Sequence, residues 1–89
     1  MHTQSAKLTF YIPHAMSLKE KRQVRRSVTD KARKRFNLAI AEVDTQDIHQ
    51  TLTLGIAVVS GSPAHAEQAL DEIIRFMEGE AELVEIERY

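Results

Sequence analysis

Cationic side chains dominate one short stretch of the sequence. Nine of the twelve lysines and arginines lie between positions 17 and 36. On a helical wheel of about 100° per residue, four of them fall within about 60° of one another: Lys19, Arg22, Arg26 and Arg33. Such a row is roughly 21 Å long at about 1.5 Å per residue, enough to neutralise several phosphates of a nucleic acid. The spacing predicts a nucleic-acid contact, although a solvated charged face or an acidic protein partner would give the same pattern.

The remaining charges of this stretch have other predicted roles. Lys21 and Arg25 lie beside the apolar side of the wheel, so their methylene groups are expected to cover its edge. Asp30 stands four residues from both Arg26 and Lys34, and we expect it to pair with them. Only part of the cationic stretch would then be free to bind a ligand.

A second set of reactive side chains lies in the segment DTQDIH. Asp44, Asp47 and His49 come close together there, and carboxylates beside a histidine could bind a hard cation or act as acid and base. Turn formation explains both aspartates as well, because their side chains accept hydrogen bonds from nearby backbone N–H groups. His14 precedes the cationic stretch, but PHAMS lacks the glycines and the arginine of an acyl-phosphate site. The segment is a candidate loop site, with turn formation as the alternative.

Other catalytic chemistry is poorly represented in the sequence. The chain has no cysteine, which excludes disulfides, thiolate metal sites and cysteine nucleophiles. None of its four histidines has a metal-binding spacing such as H-x-x-x-H, and no glycine-rich nucleotide loop occurs. We therefore expect a binding protein rather than an enzyme, with no metal and no cofactor.

Charge is divided unevenly between the two ends of the chain. Residues 1–35 contain ten basic and two acidic side chains, whereas residues 36–89 contain two basic and eleven acidic ones. The formal net charge of -1 conceals this asymmetry. Opposite charges of this kind could neutralise each other within one chain or join two copies, so a homodimer is an alternative to a nucleic-acid complex.

The length of the chain, 89 residues, predicts one domain spanning positions 1–89 with a single hydrophobic core. No basic segment followed by a long apolar one begins the sequence, and no run approaches the roughly 20 apolar residues of a membrane span. We therefore expect a cytoplasmic protein without a membrane partner.

The elements that must position these residues follow from the hydrophobic pattern. AKLTFYI, at residues 6–12, alternates apolar and polar side chains as a half-buried strand does, and Pro13 ends it. Ser17 and Glu20 have the spacing of a capping box, so a helix begins here. The apolar stripe of this helix consists of Val24, Val28 and Ala32.

Two strands and a second helix follow. NLAIAEVD and QTLTLGIAVVS both have strand patterns, but Val43 is out of phase with Ile40, which predicts a bulge or a second half-buried face. In the next helix, Ser62 is the expected cap and Gly79 the expected left-handed stop. Its apolar stripe consists of Ala66, Leu70, Ile73, Ile74 and Met77.

The last strand, AELVEIERY, is predicted to direct Val84 and Ile86 inward. The order strand, helix, strand, strand, helix, strand predicts an α+β fold of the ferredoxin-like type, with a four-stranded antiparallel sheet and both helices on one face. The other face has no cover, which makes it a candidate for dimerisation or ligand contact. The side chains predicted on or near it are Tyr11, Thr51, Thr53, Leu83 and Tyr89.

The RNA-recognition motif shares this topology, but it stacks bases on aromatic side chains of its third strand. Here that strand is TLTLGIAVV, which contains no aromatic residue. Any RNA contact is therefore expected on the basic helix.

Several segments resemble one known family. IPHAMSLKEKRQV, RFNLAIAEVD, and TLGIAVVS followed by AH are similar to the YlxP-like family of small bacterial proteins. The resemblance covers nearly the whole chain and implies a ferredoxin-like fold with no established activity. Genes of this family tend to lie beside those for translation and ribosome-maturation factors, so the resemblance implies RNA or the ribosome as the partner.

The resemblance also marks particular positions of this chain. The family loop usually reads D-H-Q-D followed by a tryptophan, whereas this chain has Thr45 in place of the histidine and no tryptophan. Any role that depends on that histidine or indole is therefore not expected here. The marked positions are Ser17, Lys19, Glu20, Lys21, Arg22, Glu42, Asp44, Gln46 and Asp47.

Overall fold

The structure is a computed structural model that describes all 89 residues. Its elements are β1 (His2–Tyr11), α1 (Leu18–Arg35), β2 (Ala39–Glu42), β3 (Thr51–Ser60), α2 (Pro63–Glu78) and β4 (Glu82–Arg88). The strands form one sheet in the order β2-β3-β1-β4, and all neighbouring pairs are antiparallel. The predicted ferredoxin-like α+β fold is confirmed. Neither helix combines the length and the apolar character that crossing a membrane requires.

The core lies between one face of the sheet and the two helices. Alternate residues of β1 and β3 point into it, as the period of two in their sequences predicts. All five residues of the predicted α2 stripe are buried, whereas α1 contributes only Val28 and Ala32 in full and Val24 in part. α1 therefore leaves most of its surface to solvent.

The capping box at the start of α1 is confirmed. Ser17 Oγ accepts a hydrogen bond from the Glu20 backbone N–H at 3.2 Å. The Glu20 carboxylate accepts from the N–H of Met16, one residue before the cap. At the other end, Phe36 packs edge to face against Phe76 of α2, with ring centroids 5.5 Å apart. These contacts fix both ends of the helix that carries the cations.

β2 has no bulge. Its four residues pair regularly with β3, and Val43 continues the ladder through its N–H to the carbonyl of Thr53 at 2.9 Å. Val43 lies on the uncovered face against Gly55, where an added Cβ would come within 3.4 Å of Val43 Cγ1. The sequence allowed either a bulge or a second half-buried face at Val43. The structure has the second half-buried face.

β4 differs from its prediction. A register shift in its pairing with β1 leaves Val84 without a partner, because Phe10 pairs with Leu83 and Thr9 pairs with Glu85. The extra residue reverses the phase of the strand, so Leu83 packs on the core while Val84 is 56% exposed. The predicted inward position of Val84 and outward position of Leu83 are both wrong.

The end of α2 also differs from the prediction. Gly79 has a right-handed backbone, with φ -80° and ψ -15°. The helix ends instead through short-range bonds, among them the Gly79 N–H to the Phe76 carbonyl at 3.1 Å. Ser62 holds the cap position, but its hydroxyl makes no capping bond. The predicted left-handed stop at Gly79 is wrong.

Candidate nucleic-acid interface

The four cations predicted to form a row lie on the solvent side of α1, and we call them the cationic ridge: Lys19, Arg22, Arg26 and Arg33. All four are exposed. Lys19, Arg22 and Arg26 have no carboxylate within 4.0 Å, and only Arg33 is paired, with Asp30 at 3.7 Å. Both members of that pair are more than half exposed, so it contributes about 0–1 kcal/mol. The ridge is thus free of internal neutralisation over most of its length.

Most other cations of α1 are already engaged. Lys31 Nζ lies 3.1 Å from Glu80 Oε2. The guanidinium of Arg35 lies over the rings of Phe36 and Phe76, 5.7 and 5.3 Å from their centroids. These contacts join α1 to the C-terminal half of the chain. Glu80 of the acidic half neutralises Lys31, but no carboxylate of that half pairs with the ridge.

Asp30 pairs with a different partner from those predicted. Its carboxylate contacts Arg33, three residues later, and neither Arg26 nor Lys34 is within ion-pair distance. The Arg33 guanidinium is held beside this turn because its Nη2 donates to the carbonyl of Ile40 at 3.2 Å. That contact with β2 brings Arg33 within reach of Asp30, and the predicted i, i+4 pairs are wrong.

The sequence did not reveal the buried ion pair beneath the ridge. The side chain of Lys21 is 2% exposed, and its Nζ lies 2.6 Å from Glu42 Oε2. The same ammonium donates to the carbonyls of Ile48, at 2.6 Å, and Thr45. Glu42 Oε2 is buried and has no polar partner besides the lysine, so this oxygen depends on Lys21 for compensation.

The position of this pair follows from two local patterns. Lys21 borders the apolar stripe of α1, as predicted, but its ammonium turns inward rather than out to solvent. Glu42 is in phase with Ile40 on β2, on the core side of the sheet. A carboxylate at an inward strand position beside a lysine at the edge of a helix stripe is the signal that could have found the pair. Arg25 contacts the same carboxylate, with Nη1 3.5 Å from Oε1.

The candidate loop site does not gather its predicted residues into a ligand set. No three histidine, aspartate or glutamate side chains are placed to hold a metal ion. Asp44 has a left-handed backbone, with φ 61°, and its Oδ2 lies 2.7 Å from Lys7 Nζ. Asp47 and His49 are exposed. The loop is anchored by Lys21 from one side and by the Thr45 hydroxyl, which accepts from the Thr53 N–H at 2.9 Å, from the other.

The uncovered face of the sheet contains a hollow of about 520 Å³. Small side chains form much of its lining: Ser5, Ala39, Ala41, Gly55 and Ala57. Tyr11, Thr51 and Tyr89 also lie on or beside this face, as predicted, whereas Leu83 does not. Thr53 lies there too but is buried, and its hydroxyl is 3.3 Å from that of Thr9.

A short polar network borders this hollow. The hydrogen bond from Lys7 to Asp44 raises the pKa of Lys7 above its usual value. The Tyr89 hydroxyl donates to Glu87 Oε2 at 2.8 Å, which raises the pKa of Tyr89 above its usual value.

Comparison with known proteins places the chain in a family. The family described as "Protein of unknown function (DUF503)" matches residues 3–88. The chain belongs to this family. Among curated proteins it is 36% identical over 69 residues to "Uncharacterized protein YlxP" of Bacillus subtilis (strain 168), which covers 78% of this chain and 75% of that protein. The predicted resemblance is confirmed.

Many of the positions that the family resemblance marks have structural roles in this chain. Ser17 and Glu20 cap α1, Lys21 and Glu42 form the buried pair, and Asp44 pairs with Lys7. The others are exposed and make no side-chain hydrogen bond or ion pair: Lys19, Arg22, Gln46 and Asp47. Of these four, the two cations lie on the ridge, so the ridge is the candidate ligand-binding surface.

Proposed function

We propose that this protein is a non-enzymatic RNA-binding protein that contacts structured RNA, such as ribosomal RNA, through the cationic ridge. The single observation that carries the proposal is that Lys19, Arg22 and Arg26 are exposed, aligned and unpaired. Counterions held by RNA phosphates are released when such cations bind, and this release favours association. The gene neighbourhood implied by the family resemblance also favours a partner in translation.

The chemistry of the exposed surface favours folded RNA over single strands. Recognition of single strands relies on aromatic side chains on which bases stack. The exposed face of α1 carries no aromatic residue, and β3 has none. Contacts from lysine and arginine to phosphates do not require unstacked bases. The ridge therefore suits the phosphate backbone of a duplex or a compact RNA fold.

The distribution of negative charge also favours RNA contact through the ridge. Several carboxylates of α2 and β4 have no cationic partner: Glu67, Glu72, Glu78, Glu82 and Glu85. They lie on other elements than the ridge, so they repel a polyanion from the rest of the surface. The asymmetry seen in the sequence thus corresponds to unpaired cations on α1 and unpaired carboxylates on α2 and β4.

Salt dependence tests this proposal directly. For three phosphates neutralised by the ridge, log K for a ribosomal RNA hairpin should fall linearly with log salt, with a slope of about -3. Between 50 and 200 mM KCl the affinity should fall by about 60-fold, measured by fluorescence anisotropy with a labelled hairpin. No binding at 50 mM, or an affinity independent of salt, would refute RNA binding through the ridge.

The hollow on the uncovered sheet face favours a second candidate, a protein-interaction module that forms homodimers. Its lining is mainly apolar, and Val59 and Tyr11 on the same face are 58% and 43% exposed. A dimer held by this face would persist at high salt, because hydrophobic burial is not screened. Sedimentation velocity at 50 mM and 500 mM KCl should then show a dimer in both. A monomer in both would contradict this candidate.

A further inference from the structure

A groove of about 260 Å³ lies between α1 and the edge strand β2, beside the cationic ridge. One wall consists of α1 residues, among them Arg25, Arg26 and Arg33, and the other consists of residues 40–42 of β2. We call it the arginine groove. It collects three guanidinium groups in a concave surface, where a ligand can contact more than one of them at once.

The charges around the arginine groove do not balance. Its walls contain three arginines but only two carboxylates, Asp30 and Glu42. Glu42 is also neutralised from its buried side by Lys21 Nζ at 2.6 Å. The four cations therefore exceed the two carboxylates by two positive charges. This surplus exceeds the single negative charge of a phosphodiester, so the groove can neutralise one phosphate of an RNA backbone.

Two of the three guanidinium groups are held in place before any ligand binds. Arg33 Nη2 donates to the Ile40 carbonyl at 3.2 Å, and Arg25 Nη1 lies 3.5 Å from Glu42 Oε1. Arg26, between them in the sequence, has no protein partner. A planar guanidinium presents N–H groups that match the oxygens of a phosphate, and fixing it in advance reduces the entropy lost on binding.

One carboxylate already contacts the outer part of this surface. Asp30 Oδ1 lies 3.7 Å from Arg33 Nη1, and the two side chains are 66% and 54% exposed. An exposed pair at this distance contributes little to stability. Asp30 therefore occupies a position that a phosphate oxygen could take, and a phosphate could displace it at low cost.

We propose that the arginine groove binds one phosphate group of the RNA through Arg26 and Arg33, while Lys19 and Arg22 contact neighbouring phosphates. This inference rests on the proposed RNA-binding function and adds an orientation to it. The RNA lies over the β2 edge of the sheet, away from the carboxylates of β4. Because Lys34 is exposed in the same helical turn as Arg33 but does not line the groove, it provides a matched control.

The test uses three variants of the full chain and two probes. Inorganic phosphate is titrated into isotope-labelled protein, and the Nε–H signals of the arginines and the amide of Ala41 are followed by NMR. Arg33→Gln should weaken phosphate binding by about tenfold, since it removes one charge-assisted contact, whereas Lys34→Gln should change it by less than about twofold. Asp30→Asn should tighten binding by about twofold to fivefold, because it removes the competing carboxylate.

The second probe is the RNA hairpin, and it separates the two proposals. If RNA binds and Arg33→Gln weakens it no more than Lys34→Gln, the groove is refuted while RNA binding by the ridge stands. If RNA does not bind the unmodified protein, the proposed function fails, and the phosphate titration still decides the groove. Phosphate-induced shifts elsewhere in the chain, with none in the groove, would overturn the inference.

Discussion

Glu42→Gln is expected to lower the free energy of unfolding by about 3–5 kcal/mol, because it leaves the buried Lys21 ammonium without a counter-charge. Lys21 is 2% exposed and the Glu42 side chain 9%, so water cannot replace the lost partner. A domain of this size has a total stability of about 4–13 kcal/mol, and the variant would lose a large share of it. Urea denaturation followed by circular dichroism measures the change.

An exposed ion pair provides the control for this prediction. Asp71 and Arg88 are 2.6 Å apart, but both side chains are more than 40% exposed, so Asp71→Asn should cost less than about 1 kcal/mol. If Glu42→Gln costs no more than Asp71→Asn, the pair is not shielded from water as the structure indicates. Replacing both members, in Lys21→Met with Glu42→Leu, should restore much of the loss, since an apolar pair of similar volume needs no counter-charge.

The two members of the pair are expected to differ in one respect. Lys21 also donates to the carbonyls of Thr45 and Ile48, whereas the ion pairs of the Glu42 side chain are with Lys21 and Arg25 of α1. Lys21→Met should therefore increase hydrogen exchange in residues 43–50 more than Glu42→Gln does, even at equal loss of stability. The buried lysine thus couples the helix that carries the ridge to the loop between β2 and β3.

The parts of the fold that the sequence predicts are those in which a local pattern decides the structure. β1 and β3 alternate with a period of two, and the α2 stripe repeats with the period of a helix, so burial follows from sequence alone. Ser17 and Glu20 cap α1 through contacts within four residues. None of these features depends on which element lies opposite.

The incorrect predictions concern side chains whose position depends on an element distant in the sequence. Val84 does not point inward because β4 has a bulge there, and that bulge depends on how β4 pairs with β1. Asp30 pairs with Arg33 because the Arg33 guanidinium is held nearby by its hydrogen bond to the Ile40 carbonyl on β2. Lys21 is buried because Glu42, 21 positions later, is directed beneath α1. Each of these positions depends on how two elements are placed relative to each other. A helical wheel describes one helix alone and gives no information on that placement.

The same limit applies to the ridge. The wheel predicts that four cations share one side of α1, but their pairing depends on where the acidic C-terminal half lies. Lys31 and Arg25 have carboxylate partners from outside α1, and Lys19, Arg22 and Arg26 do not. The structure thus selects, from nine cations, the few whose charge is available to a ligand.

Arg22→Glu combined with Arg26→Glu is expected to weaken RNA binding by about 100-fold or more, because two phosphate contacts become two repulsions. The slope of log K against log salt should also become shallower by about two, since two fewer phosphates are neutralised. Both side chains are exposed and unpaired, so the fold should be retained, as circular dichroism can verify. Anisotropy with the same RNA hairpin measures both quantities.

A second double variant separates the position of the charges from their number. Arg75→Glu with Arg88→Glu changes the net charge by the same amount, but both residues lie outside the ridge, on α2 and β4. If the ridge binds the RNA, the affinity of this control variant for the hairpin should fall by less than about threefold at 150 mM salt. At that salt concentration the Debye length is about 8 Å, so distant charges are screened. Equal losses in the two variants would mean that net charge alone governs the association, and the ridge would then have no special role.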